Sequence, residues 1–265
     1  MKRTTSLLLG SLTLCLGASL LTAETAKLVT YAKTHGSYQR TPVEAGPEYA
    51  ESFVINMGQY NLSGTDDEAL EAVSFADIEE ELGAVLENEG FKPAENREAA
   101  DLLIVVHRGR TAPERGRNAA PVYLDQNHRG SVSKVNSPAG NLIEVAKVLG
   151  YYEELAGLMI ENRVSSTDFK LADLRTELEQ ERYYLVIAAY DYPTMQRSGR
   201  RVLLWETRLS FAAENKSFAD RFAAMLQASA SYFGRNTPYG LQREFVRLDA
   251  AGEGPDARRL ALGQY

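Results

Sequence analysis

The side chains with the greatest chemical reach are few and widely spaced. His35, His107 and His128 are scattered without metal-ligand spacing, and the single cysteine rules out a CxxC-type zinc site. No glycine-rich phosphate loop, HExxH helix, calcium loop or GxSxG elbow is present, so no cofactor and no metal is expected. Ser131-x-x-Lys134 has the spacing of serine acyl-enzymes, in which the lysine lies one helical turn from the nucleophile. Here it sits in a Gly/Ser/Asn-rich stretch with no partner motif, so no catalytic residue is assigned. Asp191 lies just before Pro193, where an aspartate is also good turn chemistry. The acidic runs Asp66-Asp67-Glu68 and Glu79-Glu80-Glu81 read as solvated charge, the first suited to a helix N-terminus.

The feature that singles itself out is basic. Arg108, Arg110, Arg115 and Arg117 stand against one Glu114, with Arg129 further on, in a 265-residue chain whose net charge is −7. Guanidinium groups on Gly-punctuated backbone can fork onto phosphate or carboxylate. The stretch therefore reads as a binding loop for an anionic glycan, a lipid headgroup or an acidic protein surface, against the plainer reading of a solvated loop. The acidic total argues against a nucleic-acid partner. Two other readings stay open. One is a hydrolase whose site assembles from His107, Asp191 and Glu206 near strand ends; the other is a carrier whose tyrosine pairs 151–152 and 183–184 line a pocket for a small apolar ligand.

These residues need a scaffold. Residues 1–23 stand outside it. Lys2 and Arg3 precede an apolar run to Leu21, and Ala23 offers a cleavage point, the pattern of a signal peptide. A periplasmic or extracellular protein is expected. Cys15 has Leu14 before it and so lacks a lipid-attachment context. No second apolar run is long enough to span a bilayer.

In the remainder, 24–50 reads as an extended N-terminal segment with a short β-like run at 28–32. Phe53, Ile55 and Met57 alternate as a strand does. Ser74-x-x-Asp77 opens a helix whose stripe is Phe75, Ile78, Leu82, Val85 and Leu86, stopped at Gly90. Leu102–Val106 reads as a strand covered on both faces. Next come a long loop and helices over 108–181, with Val145, Val148, Tyr152, Leu155 and Met159 sharing a face and Leu171, Leu174 and Leu178 forming a shorter piece. Strands at 183–190 and 201–211 are joined as a hairpin, with Glu206 and Arg208 on a partly wet face. Ser-Phe-Ala-Asp recurs at 217–220 and opens a last helix, a coincidence best explained by capping chemistry. The expected fold is α+β: one mixed or antiparallel sheet with helices packed on it, a single domain over 51–248 with a helical insertion, and a loose tail over 249–265.

Leu86-Glu-Asn-Glu-Gly90-Phe91 leading to Ala100-Asp101-Leu102-Leu103-Ile104-Val105-Val106, then an apolar strand, then Val202-Leu-Leu-Trp205-Glu206 and a helix, resembles a family of secreted bacterial envelope proteins. Many of its members are lipoproteins, and the family is classed as a domain of unknown function. The resemblance covers about half of the mature chain. It implies an envelope location and a non-enzymatic role, and it supplies no catalytic residue.

Overall fold

A computed structural model describes residues 24–58, 68–111, 138–161, 168–213 and 217–248. Seven strands form one open, mixed sheet: β1 (Glu24–Thr34), β2 (Ser52–Met57), β3 (Lys92–Pro93), β4 (Leu102–Thr111), β5 (Arg182–Asp191), β6 (Leu203–Ala212) and β7 (Gln242–Leu248), in the order β3-β2-β4-β5-β6-β1-β7. β2 runs parallel to β3 and β4; every other neighbouring pair is antiparallel. The two expected halves share this sheet through the β4–β5 pairing, so the fold is the α+β arrangement that the apolar pattern requires.

Helices cover both faces. On the first lie α2 (Phe75–Asn88) and α7 (Ala219–Ser229), packed over Ile55, Ile104, Ile187 and Leu209. Ser74 closes a capping box with Asp77: Asp77 N–H donates to Ser74 Oγ at 3.1 Å and Ser74 N–H to Asp77 Oδ2 at 2.7 Å. Ser217 accepts from Asp220 N–H at 3.2 Å at the start of α7, so the repeated tetrapeptide reproduces one of the two capping-box bonds. Trp205 is fully buried between Phe91 and Phe233, each ring centroid 6.0 Å away.

The second face carries α3 (Pro138–Leu149), α4 (Tyr152–Glu161) and α5 (Asp168–Glu179), packed on Val29, Tyr184 and Val186. Near the β4–β5 end of that face α6 (Tyr192–Ser198) covers Leu103. A one-turn helix, α1 (Glu68–Glu71), precedes α2.

The structure departs from the sequence expectations at several points. β4 continues to Thr111, so Arg108 and Arg110 belong to a central strand rather than to a loop beginning at 108. Gly109 lies in register with Tyr184, and a Cβ there would fall 2.2 Å from the tyrosine Oη; this glycine makes room for a ring rather than loosening a loop. β1 runs the full length from 24 to 34 and is an inner strand between β6 and β7, so the N-terminal segment is part of the domain. β5 and β6 do pair antiparallel, but α6 joins them instead of a tight turn, with Asp191 as its N-cap. The helix expected from 142 breaks at Gly150 (φ 84°), which turns Tyr151 into the core and leaves Tyr152 and Met159 exposed. Glu206 and Arg208 keep partial contact with water, as expected, while Arg208 also bonds the end of α3. The 249–265 tail and residues 1–23 lie outside the described residues.

Candidate functional site

Arg108 and Arg110 alternate with Gly109 and so point to the same face as Ile104 and Val106. Arg108 donates through Nη1 to the Val73 carbonyl, joining β4 to the start of α2. Arg110 pairs with Glu181 and lies 5.6 Å over the Tyr183 ring. Both are tied into the scaffold. Arg115, Arg117 and Arg129, together with Ser131, Lys134 and His128, lie outside the described residues.

The strand that carries Arg110 ends at Thr111, opposite Arg182 at the start of β5. Arg182 N–H donates to Thr111 Oγ1 at 2.9 Å. The side chain of Arg182 shares a face with Tyr184 and Val186 and is 1% exposed. Its Nε donates to Ser210 Oγ at 3.2 Å and its Nη2 to the Ser210 carbonyl at 3.1 Å, and the guanidinium stands 5.9 Å from the Tyr151 ring centroid. No carboxylate of the described residues pairs with it. An uncompensated buried charge costs about 3–5 kcal/mol where such pairs have been broken, so this arrangement calls for an explanation.

The contrast with Arg243 is instructive. That residue lies 5.7 Å from the same tyrosine ring, and its guanidinium donates to Glu177 at 3.0 and 3.1 Å and to Glu154 at 3.2 and 3.3 Å. Lys27 also bonds Glu177, at 2.5 Å. Burial alone would raise the Glu177 carboxyl, but the bonds from Arg243 and Lys27 outweigh it and hold the group below its ordinary range. Tyr151, between the two guanidiniums, is pushed up to about 12, chiefly by burial.

Beside Arg182 opens a cleft of about 430 Å³ between α5 and the ends of β5, β6 and β1. Thr25, Lys27, Asp173, Thr176, Glu177 and Gln180 line it with Arg182. Three of these fall on α5 at positions 173, 176 and 177, the i, i+3, i+4 spacing that puts them on one helical face, and Gln180 follows directly after the helix. Arg221 of α7 also lines it, its Nη1 donating to the Ala212 carbonyl at 3.1 Å and its guanidinium 4.7 Å over Phe211.

The residues considered for a hydrolase do not converge. His107 stands opposite Val186 and Asp191 opposite Leu102, five positions apart along the same ladder, or roughly 17 Å. Asp191 accepts from Thr194 N–H at 2.8 Å and from Thr194 Oγ1 at 2.7 Å, which is capping work. Glu206 accepts from Arg208 at 2.7 Å, and Arg208 donates at 2.9 Å to the carbonyls of Lys147 and Val148 at the end of α3, where a cation suits the helix dipole. His35 approaches Glu206 to 3.9 Å. His107 is pressed against Gly58, where a Cβ would lie 2.1 Å from the imidazole, and burial together with the nearby Arg208 charge pulls its pKa down to about 4. The tyrosine pairs do not line an apolar pocket either: Tyr151 and Tyr184 are fully buried in the core under α3–α5, and Tyr183 packs on Phe211 and Phe218 across the sheet. Glu79 and Glu80 face solvent, and no cluster of metal-ligating side chains occurs among the described residues.

Arg182 is the residue that pattern reading passes over. The one signal available was its parity with Tyr184 and Val186, which puts it on a buried face.

Compared with protein-family models and with curated proteins, the sequence matches none. Solved structures similar to it include the following two. One is a PDZ domain protein from Parabacteroides distasonis (14% identity, TM-score 0.39), whose likeness covers 86% of this chain and 41% of that one. The other is a DUF4136 family protein from Bacteroides thetaiotaomicron (11% identity, TM-score 0.35), covering 77% and 93%. The chain thus spans about two fifths of the PDZ domain protein. At these identities and TM-scores the likeness assigns neither a family nor a function. No described helix is long and apolar enough to cross a membrane.

Proposed function

We propose that this protein is a secreted, non-catalytic binding module of a bacterial envelope that contacts an anionic partner, either an acidic protein surface, an anionic glycan or a lipid headgroup. The contact is made by Arg115, Arg117 and Arg129, with Arg108 and Arg110 as the anchors of that stretch. The observation that carries this reading is the rooting of the arginine-rich stretch in a ten-residue inner strand, β4, whose two arginines are fixed by Val73, Glu181 and Tyr183. Arg108 and Arg110, preset on a rigid element, spend less binding energy on ordering. Secretion and the envelope location rest on residues 1–23.

The test is cosedimentation of the mature protein with cell-wall sacculi and with vesicles that contain or lack phosphatidylglycerol, at low and high salt. Binding that weakens with salt and is lost when Arg115, Arg117 and Arg129 are changed together to alanine supports the proposal. Binding indifferent to those three substitutions refutes it.

A further inference from the structure

The cleft at Arg182 is separate from the arginine-rich stretch and asks for a different ligand. Its lining splits into charges already matched and charges that are not. Lys27 and Glu177 satisfy each other, and Arg243 satisfies Glu177 and Glu154. Among the described residues Arg182 is matched by neutral acceptors, the Ser210 hydroxyl and carbonyl, and by the face of Tyr151. It is held rigidly by these contacts, and it is almost wholly withdrawn from water. A fixed guanidinium of this kind at the wall of a polar cleft is a preorganised receptor for one oxyanion.

We infer that the cleft binds a small carboxylate ligand, with its carboxylate on Arg182 and its remainder lying along α5 past Gln180 and Thr176 toward Asp173. The volume, about 430 Å³, is in the range of small-molecule sites. The acidic residues sort the ligands. Glu177 is already neutralised by Lys27 and Arg243, so the carboxylate left to act on a ligand is Asp173, which opposes a second negative charge beside it and favours a neutral or cationic far end. Zwitterions such as short peptides fit this pattern, and dianions do not.

Titration of the ¹⁵N-labelled protein with acetate, dialanine and succinate, followed by NMR, tests the inference. Acetate and dialanine are expected to shift amides at the start of β5, the end of β6 and along α5, dialanine the more tightly and succinate the least. Gln180→Glu is isosteric and brings a carboxylate to the cleft. It is expected to lower dialanine affinity at least tenfold and to raise the melting temperature, because Arg182 then has an internal partner. Arg182→Lys keeps the charge but loses the fork, and is expected to lower affinity at least tenfold without abolishing the fold. No localised shift with any probe overturns the inference, as does wild-type affinity in both variants. The outcome is independent of the envelope reading, since Arg115, Arg117 and Arg129 remain intact throughout.

Discussion

His107 gives the sharpest physical prediction, because its cause and its size both follow from position. The imidazole lies on β4 against Gly58 and near the Arg208 guanidinium, and its pKa is depressed to about 4. In the unfolded chain an ordinary histidine titrates at about 6.5. Below that pH the unfolded chain takes up a proton that the folded chain refuses, so acid favours unfolding. The stability contributed by keeping His107 neutral is therefore fully present above about pH 6.5 and is lost as the pH falls toward 4. Integrating the linkage between pH 7 and pH 5 gives a loss of about 2 kcal/mol. Glu51, raised by burial, acts in the opposite sense at lower pH, so the wild-type curve alone would mix the two. His107→Gln removes only the imidazole's share. Urea denaturation at half-unit steps from pH 5 to pH 7, on the wild type and on H107Q, should show a steep wild-type dependence and a flatter one in the variant. Absolute stability of the variant does not matter, since the slope is the readout. An NMR titration placing the folded imidazole near 6.5, or parallel slopes for the two proteins, refutes the reasoning.

Gly109→Ala places a Cβ 2.2 Å from Tyr184 Oη and 2.5 Å from its Cζ, and the fully buried ring has no room to yield. The expected loss is about 1–3 kcal/mol by chemical denaturation, whereas a loop glycine would tolerate alanine or gain from it. Ser74→Ala removes the reciprocal cap of α2 and should cost about 1 kcal/mol, read in the same assay. Ser217→Ala removes one bond of 3.2 Å at the start of α7 and should cost less.

What the sequence disclosed about the fold follows from where burial is one-sided. α2 announces itself because Ile78, Leu82, Val85 and Leu86 are all buried on one stripe while Glu79 and Glu80 face water. β7 did not, because it is an edge strand: in Gln-Arg-Glu-Phe-Val-Arg-Leu four polar residues stand against three apolar ones, and its pairing with β1 makes a strand of it. β1 looked short for a related reason, since Lys27 and Lys33 interrupt its apolar run. Their ammonium groups are reached by Glu177 and Glu153 from helices more than 100 residues away. Periodicity reports apolar burial; it is blind to half-exposed strand positions whose partners are charged and supplied from a distance.

The same blindness governs the candidate sites. Arg-Gly-Arg at 108–110 reads as loop because both of its ingredients, charge and missing side chain, are what loops are made of. The partners that turn it into strand are Val73 at the foot of α2, Tyr184 across the ladder and Glu181 just before β5, none of them a neighbour in sequence. Arg182 is the inverse case. Followed at once by Tyr-Tyr-Leu-Val-Ile, it reads as a polar flank of an apolar strand and is instead among the most buried side chains of the protein. Ser210 and Tyr151, 28 and 31 residues away, hold it there without neutralising it. A strand that needed only solubility at its end would leave an arginine in water. One that keeps the guanidinium dry and rigid beside a polar cleft has built half of an ion pair, and none of the described carboxylates supplies the other half.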